Sequence, residues 1–568
     1  MLPTSLLGLI VALVMYAVSV SPSLLPRSWW WHAAVSGVLM SVGYILGVVL
    51  ETAGSWVMYW TGLSVHASEG AESWFRRVLV ALFLLWFLRA VVMSFLASRR
   101  AAGLVEMRAE TLRGYVLGVV GSLVLAYVLL GLVGALAWVG QGVVNLLVRW
   151  VPGPVAWLIA VASVGLLVFV LTSRVLLHGA IRFFSRHAWT MNTRTARGIY
   201  QPHEPERSGS PDSLSSWESV GGQGRVFLGR GPRRSDIEAV TGRPALEPIR
   251  VYAGMPQDPH DLASRAAVVV EELRRTGAFE RAVIVVSTAT GSGWVDEWQV
   301  QPVEYLTGGD CATASMQYSY VPSSINFLTG LDVSVEASRQ LFHAVRRALD
   351  ALPEDHRPAL YVSGESLGAF ASQEVFEDLD DVLAEVSGAL WVGTPSFTPL
   401  HRELTRARHR GSPEVAPVYD NARHVRFVNV PDDLRADVYG RELGPWGHPR
   451  VVYAQHPSDP VVWCWWDMFW NRPDWLREKA GRDVSPDMEF TRVATFIQVL
   501  ADLPVAGTAP GGHGHTYHEE LVPLWEGILG LHEGGRTAGL PEGSWVDEDV
   551  RTRIGQAISA NIAMSDRQ

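Results

Sequence analysis

Cysteine is nearly missing from this chain: among 568 residues there are only Cys311 and Cys464. Two thiols so far apart give no disulfide framework, and neither sits in a motif that would make it a nucleophile. Lysine is absent from residues 1–200, and the acids there are only Glu51, Glu69, Glu72, Glu106 and Glu110, against 14 arginines. The remainder holds 33 bases and 52 acids, so a basic front half precedes a strongly acidic one. An acidic domain is a poor partner for nucleic acid, whose phosphates are held by Lys and Arg. The amino terminus has no positive n-region and no small-residue cleavage site, which argues against a removable signal peptide. There is no G-x-x-x-x-G-K-[ST], so the glycine-bearing stretch Thr288–Trp294 does not read as a phosphate loop.

What the front half has is long apolar runs. Stretches near 5–22, 32–50, 78–98, 115–139 and 155–177 are of spanning length and predict five membrane helices within residues 1–197. Tryptophans 29, 30, 31, 56, 60 and 74 cluster near the predicted ends, as an interfacial belt does. Arg174 near the end of the fifth run is expected to snorkel, and Arg89 within the third to face other helices. No carboxylate or histidine pair lies inside the runs, and no inverted repeat is visible, so an anchor is favoured over an ion path. Arginines 99, 100, 108 and 113, and 182, 186, 194 and 197, lie on loops two spans apart. The positive-inside rule puts both loops, and the acidic domain, in the cytoplasm, although Arg76 and Arg77 then fall outside.

Residues 198–224 are rich in Ser, Gly, Pro and Glu and read as a flexible tether, with a lead-in to about 244. Beyond it, apolar strands at 249–252, 281–287, 359–363, 388–392, 425–430 and 450–455 alternate with helices near 259–275, 333–352 and 487–503. That order predicts a doubly wound α/β domain over 245–535, followed by a tail, 536–568.

The strand at 359–363 runs into Gly364-Glu365-Ser366-Leu367-Gly368. Strand, G-x-S-x-G turn and small-residue helix make a nucleophile elbow, in which the glycines let strand and helix pass closely. A serine needs a base and a carboxylate, in the chain order Ser, acid, His. Asp459 follows the 450–455 strand and is the expected acid, with Asp432 and Asp433 as rivals. His515 is the favoured base and His513 the alternative, both in the loop Gly511–His518. The backbone amide of Leu367 is one expected oxyanion donor, and the loop carrying Gly291 and Ser292 should supply the other. Trp294, Tyr318, Trp463 and Trp466 are pocket candidates. Trp463, Trp466 and Trp470 also fall at helical spacing, which usually means core packing; a wall of the acyl pocket and a bilayer contact share the rest. The close histidines lack partner ligands for a metal site, and no cofactor is indicated.

These residues together resemble a bacterial family, common in actinobacteria, of membrane-anchored α/β-hydrolases with an N-terminal multi-helix domain. The likeness runs through Ser21-Pro22-Ser23-Leu24-Leu25-Pro26-Arg27-Ser28-Trp29, Thr290-Gly291-Ser292-Gly293-Trp294-Val295-Asp296, Gln317-Tyr318-Ser319-Tyr320, the elbow, Gln455–Val462 and Gly512-His513-Gly514-His515. One departure is Ser287-Thr288-Ala289-Thr290, where a proline-containing T-P-T is expected; it bears on the second oxyanion donor. The resemblance implies an α/β-hydrolase fold and a serine hydrolase using Ser366, Asp459 and a loop histidine. Esterase or lipase-like cleavage of a lipid or envelope-derived acyl ester is the expected activity. An acyltransferase with the same acyl-enzyme, or a transport or scaffold protein with a degenerate hydrolase domain, are the alternatives.

Overall fold

Runs such as Val283-Ile284-Val285-Val286 are apolar on both faces, and such strands belong in a sheet covered on both sides. The computed structural model describes residues 5–62, 69–255, 261–322, 326–327, 330–531 and 545–566. It divides into two units: Met1–Arg182 with Trp466–Ala509, and Phe183–Trp465 with Pro510–Gln568.

The second unit is built on seven parallel strands: β1 (Ile249–Ala253), β2 (Val283–Thr288), β3 (Cys311–Met316), β4 (Ala359–Glu365), β5 (Gly388–Val392), β6 (Val425–Val428) and β7 (Arg450–Ala454). Their order is β1-β3-β2-β4-β5-β7-β6. Alternate residues of each central strand enter opposite layers, as the two-residue strand period requires. Ile284, Val286, Leu360, Val362, Ala389 and Trp391 pack with the helices Leu262–Arg275 and Leu331–Asp350. Val283, Val285, Tyr361, Leu390 and Val392 meet the helices Glu297–Leu306, Leu521–Leu529 and Glu548–Asp566. This is the doubly wound α/β architecture expected from the alternation of strand and helix.

Two expectations need correction. The polar segment after residue 198 is not a loose tether but is packed on the edge strand. Arg207 is fully buried and donates to the carbonyls of Leu228, Arg230 and Pro232. Ser208 and Ser213 donate to Glu272. Fixed partners satisfy the polar groups, so the segment orders without much apolar surface of its own. Part of the tail, 536–544, lies outside the described residues. Its helix Glu548–Asp566 is no appendage, because Val550, Ile554 and Ile558 are buried in the second layer.

Among the described residues, the front part of the first unit holds five apolar helices: α1 (Leu6–Ser19), α2 (Trp29–Thr61), α3 (Glu69–Leu104), α4 (Leu112–Leu147) and α5 (Gly153–Val170). Four of these, α2, α3, α4 and α5 running on into Arg174, are long and apolar enough to cross a membrane; the 14 residues of α1 are not. Arg89 lies on an exposed face of α3 and does not turn inward as expected. Arg174 lies in a π-helical turn that follows α5.

The same unit holds the later segment Trp466–Ala509, and its centre is Asp502, which has no exposed surface. Its carboxylate accepts from the Ser23 hydroxyl, from the backbone amides of Leu24 (3.0 Å) and Leu25 (3.3 Å), and from Arg27 Nε (2.9 Å). Arg27 Nη2 also donates to the Gln498 carbonyl at 2.8 Å, and the Gln498 amide donates to the Val18 carbonyl. The S-P-S-L-L-P-R motif at the α1–α2 corner is thus the receptor for a helix about 475 residues further on.

Candidate active site

Because all seven strands are parallel, their carboxyl ends share one edge, and loops from adjacent strands converge there. In the sheet, β2, β4, β5 and β7 are successive neighbours, and each contributes.

Ser366 follows β4 with φ 52° and ψ −117°, backbone that a non-glycine residue adopts only under strain. Its amide donates to the Val392 carbonyl at the end of β5, at 2.9 Å. Both glycines of the turn are sterically required. A Cβ on Gly364 would come within 2.5 Å of the Gly368 carbonyl carbon, and one on Gly368 within 2.4 Å of the Thr288 carbonyl oxygen. The first turn of the helix Leu367–Gln373 therefore abuts the end of β2. From that strand the chain enters a tight turn in which the Thr290 amide meets the Trp294 carbonyl and the Gly293 amide meets the Thr290 carbonyl, both at 2.8 Å. Gly291 and Ser292 form the tip of this turn, and Trp294 beside it is half-buried.

Asp459 lies beyond β7 and is fully buried. Its Oδ2 accepts from His515 Nδ1 at 2.7 Å and from the Tyr517 hydroxyl at 2.8 Å, while Oδ1 accepts from the Val461 amide at 2.8 Å. Of the two histidines it is His515, not His513, that meets the carboxylate; His513 is buried in the loop, with its backbone bridged to Thr516. The rival acids are otherwise engaged: Asp433 accepts from the Asn429 and Val430 amides, and Asp432 is exposed.

The histidine loop is strapped to the acid loop by several bonds. The Gly514 amide donates to the Ser458 hydroxyl at 2.8 Å, and His456 Nδ1 is 2.9 Å from the Gly514 carbonyl. The His456 ring stacks on Tyr517 at 4.0 Å, and the His456 amide donates to the Tyr517 hydroxyl. Space for the imidazole comes from Gly393 at the end of β5, where a Cβ would lie 2.4 Å from His515 Cε1.

Burial disfavours the charged imidazole, but the Asp459 carboxylate, its hydrogen bond and nearby Glu365 outweigh it and push His515 up to about 9. Glu365 precedes the serine, and its Oε1 is 3.8 Å from His515 Nε2. Burial raises Glu365 to about 7, and His515 and a 3.2 Å bond from Gln299 Nε2 hold it from rising further. Asp296 is held well above its usual range by burial and by Glu365. A second, acidic cluster thus lies on the far side of the imidazole from Asp459. Nothing in the sequence pattern signals Glu365, Gln299, Asp296, Gly393 or Tyr517, because their partners are distant in the chain.

Alongside the elbow, Leu367 and Phe370 pack with Leu331 and Phe397, and the Phe397 ring stacks on Trp465 at 4.4 Å. The other aromatic candidates lie elsewhere. Tyr318 is in the first core layer, and Trp463 is buried with Nε1 donating to the His456 carbonyl at 3.2 Å. Trp466 falls in the other unit. The expected helical stripe is broken, since the helix Pro460–Trp463 ends at an extended Cys464 before a separate 3-10 turn, Trp466–Phe469. Among the described residues no cluster of three or more His, Cys, Asp or Glu could hold a metal ion.

A family profile described as an alpha/beta-hydrolase family matches residues 249–538, and one described as the N-terminus of an alpha/beta-hydrolase family matches residues 20–232. The chain belongs to this alpha/beta-hydrolase family. Neither curated proteins nor solved structures gave a match. The two matched regions take in most of the helical domain and most of the α/β domain.

Proposed function

We propose that this alpha/beta-hydrolase is a membrane-anchored serine hydrolase that cleaves an acyl ester of a lipid or envelope-derived substrate. The observation that carries the reading is the strained Ser366 turn on the same sheet edge as the 2.7 Å Asp459–His515 hydrogen bond. In this reading Ser366 Oγ attacks the ester carbonyl while His515 Nε2 takes its proton. Asp459 fixes the imidazole through Nδ1 and stabilises the cation that forms, and Tyr517 holds the carboxylate in place. The Leu367 amide and the Gly291–Ser292 tip face the developing oxyanion. His515 returns the proton to the departing alcohol, and water repeats the sequence on the acyl-enzyme. Leu331, Phe370, Phe397 and Trp465 form the apolar wall against which an acyl chain can lie.

A fluorophosphonate probe tests this directly on the full chain in detergent. Wild type is expected to label and Ser366→Ala is not. Equal labelling of Ser366→Ala would remove the serine from its role, and an unlabelled wild type beside a labelled control hydrolase would remove the enzyme.

A further inference from the structure

The segment Trp466–Ala509 is not used by the chemistry above, yet its covalent position is telling. The chain enters it seven residues after Asp459 and leaves it six residues before His515. Between those points it belongs to the helical unit, and its anchor points all lie at one end of that unit. Asp502 is held at the corner between α1 and α2, the Trp31 indole in the first turn of α2 donates to the Ala501 carbonyl at 2.7 Å, and Arg100, four residues before the end of α3, pairs with Asp487 at 2.5 Å. Helices long enough to cross a bilayer have their ends at its surface, so the segment is fixed at the level of the lipid headgroups.

At that level it displays aromatic and aliphatic side chains. Trp466 and Trp470 are 63 % and 66 % exposed, and Leu500 and Val493 of the same segment are exposed as well. They are supported rather than loose: the Trp466 ring lies 5.1 Å from Phe496, and Phe469 bridges Trp470 (4.6 Å) and Phe496 (5.7 Å). Tryptophan on a rigid ledge at a helix-end level is the side chain that partitions into the interface, with its ring in the acyl boundary and its N–H toward water.

We propose that Trp466–Ala509 is an interfacial lipid-binding segment. Trp466, Trp470, Val493 and Leu500 sit in the leaflet surface. The occupant of the exposed face is therefore the bilayer itself, continuous with the lipid around α2 and α3. The lipid contact does not rest on the serine-hydrolase reading.

The test uses the full chain in phosphatidylethanolamine–phosphatidylglycerol nanodiscs. A nitroxide is attached at Trp470→Cys in a Cys464→Ser background, with exposed Tyr439→Cys as the reference. Position 470 is expected to be more accessible to oxygen and less to a water-soluble nickel chelate than position 439. Accessibility to the chelate equal to that at 439 would overturn the lipid contact, and exclusion of both relaxants would mean that protein covers the ledge instead.

Discussion

At the scale of single residues, His515, the proposed base, is the most unusual group in the site. A general base works only in its neutral form, and with its pKa pushed up to about 9 His515 is mostly cationic near neutrality. The sign follows: kcat/KM rises as pH climbs through the pKa of His515 and levels off above it. Glu365, 3.8 Å from Nε2, is one of the charges that hold the proton there. Glu365→Gln is therefore expected to shift the rising limb to lower pH. A pH–rate profile that does not move would show that Glu365 leaves the base alone. Glu365, with Asp296 beside it, places acidic groups on the Nε2 side of the imidazole, opposite Asp459.

Among elements, the elbow could be read in the sequence because its chemistry demands a fixed local order of strand, glycine, serine and glycine. The base could not be read so well. His513 and His515 sit on the same glycine-rich loop, and only the straps from Ser458, His456 and Tyr517 decide which ring faces Asp459. The segment after residue 198 misled for a related reason. Polar composition records that a stretch lacks apolar surface, but not that a buried guanidinium will find three carbonyls 21 to 25 residues away. Tryptophan spacing likewise suggested one helix face at 463–470, and a single extended residue, Cys464, divides it.

The Asp502 anchor is an element-scale feature with a measurable cost. Asp502→Ala leaves Arg27, whose side chain is 10 % exposed, without its carboxylate. Breaking a buried pair from one side costs roughly 3–5 kcal/mol, so a clear fall in thermal stability of the detergent-solubilised full chain is expected. Replacing both partners with apolar residues, Arg27→Met with Asp502→Leu, is expected to recover part of it, because the Leu24 and Leu25 amides still lose their acceptor. If the single and double variants melt alike, the pair is not what holds the segment.

At the scale of the whole molecule, the charge asymmetry of the sequence becomes a statement about sidedness. The arginine-rich stretches 99–113 and 182–197 favour the cytoplasmic side for the hydrolase domain. Protease added to sealed cells is then expected to leave that domain intact, and to digest it only after permeabilisation. Digestion from outside would reverse the orientation. The α/β domain was legible because parallel strands carry dense apolar runs at regular spacing. Assignment of residues 466–509 to the helical unit was not, since a segment lying between two catalytic loops reads as part of the domain around it.

That assignment also has a biosynthetic meaning. The Asp502 anchor joins partners 475 residues apart, so its first half leaves the ribosome long before its second. A chain truncated before Asp502 therefore has only one half of the anchor, and the Ser23–Arg27 corner stays without its carboxylate until the last part of the polypeptide is made.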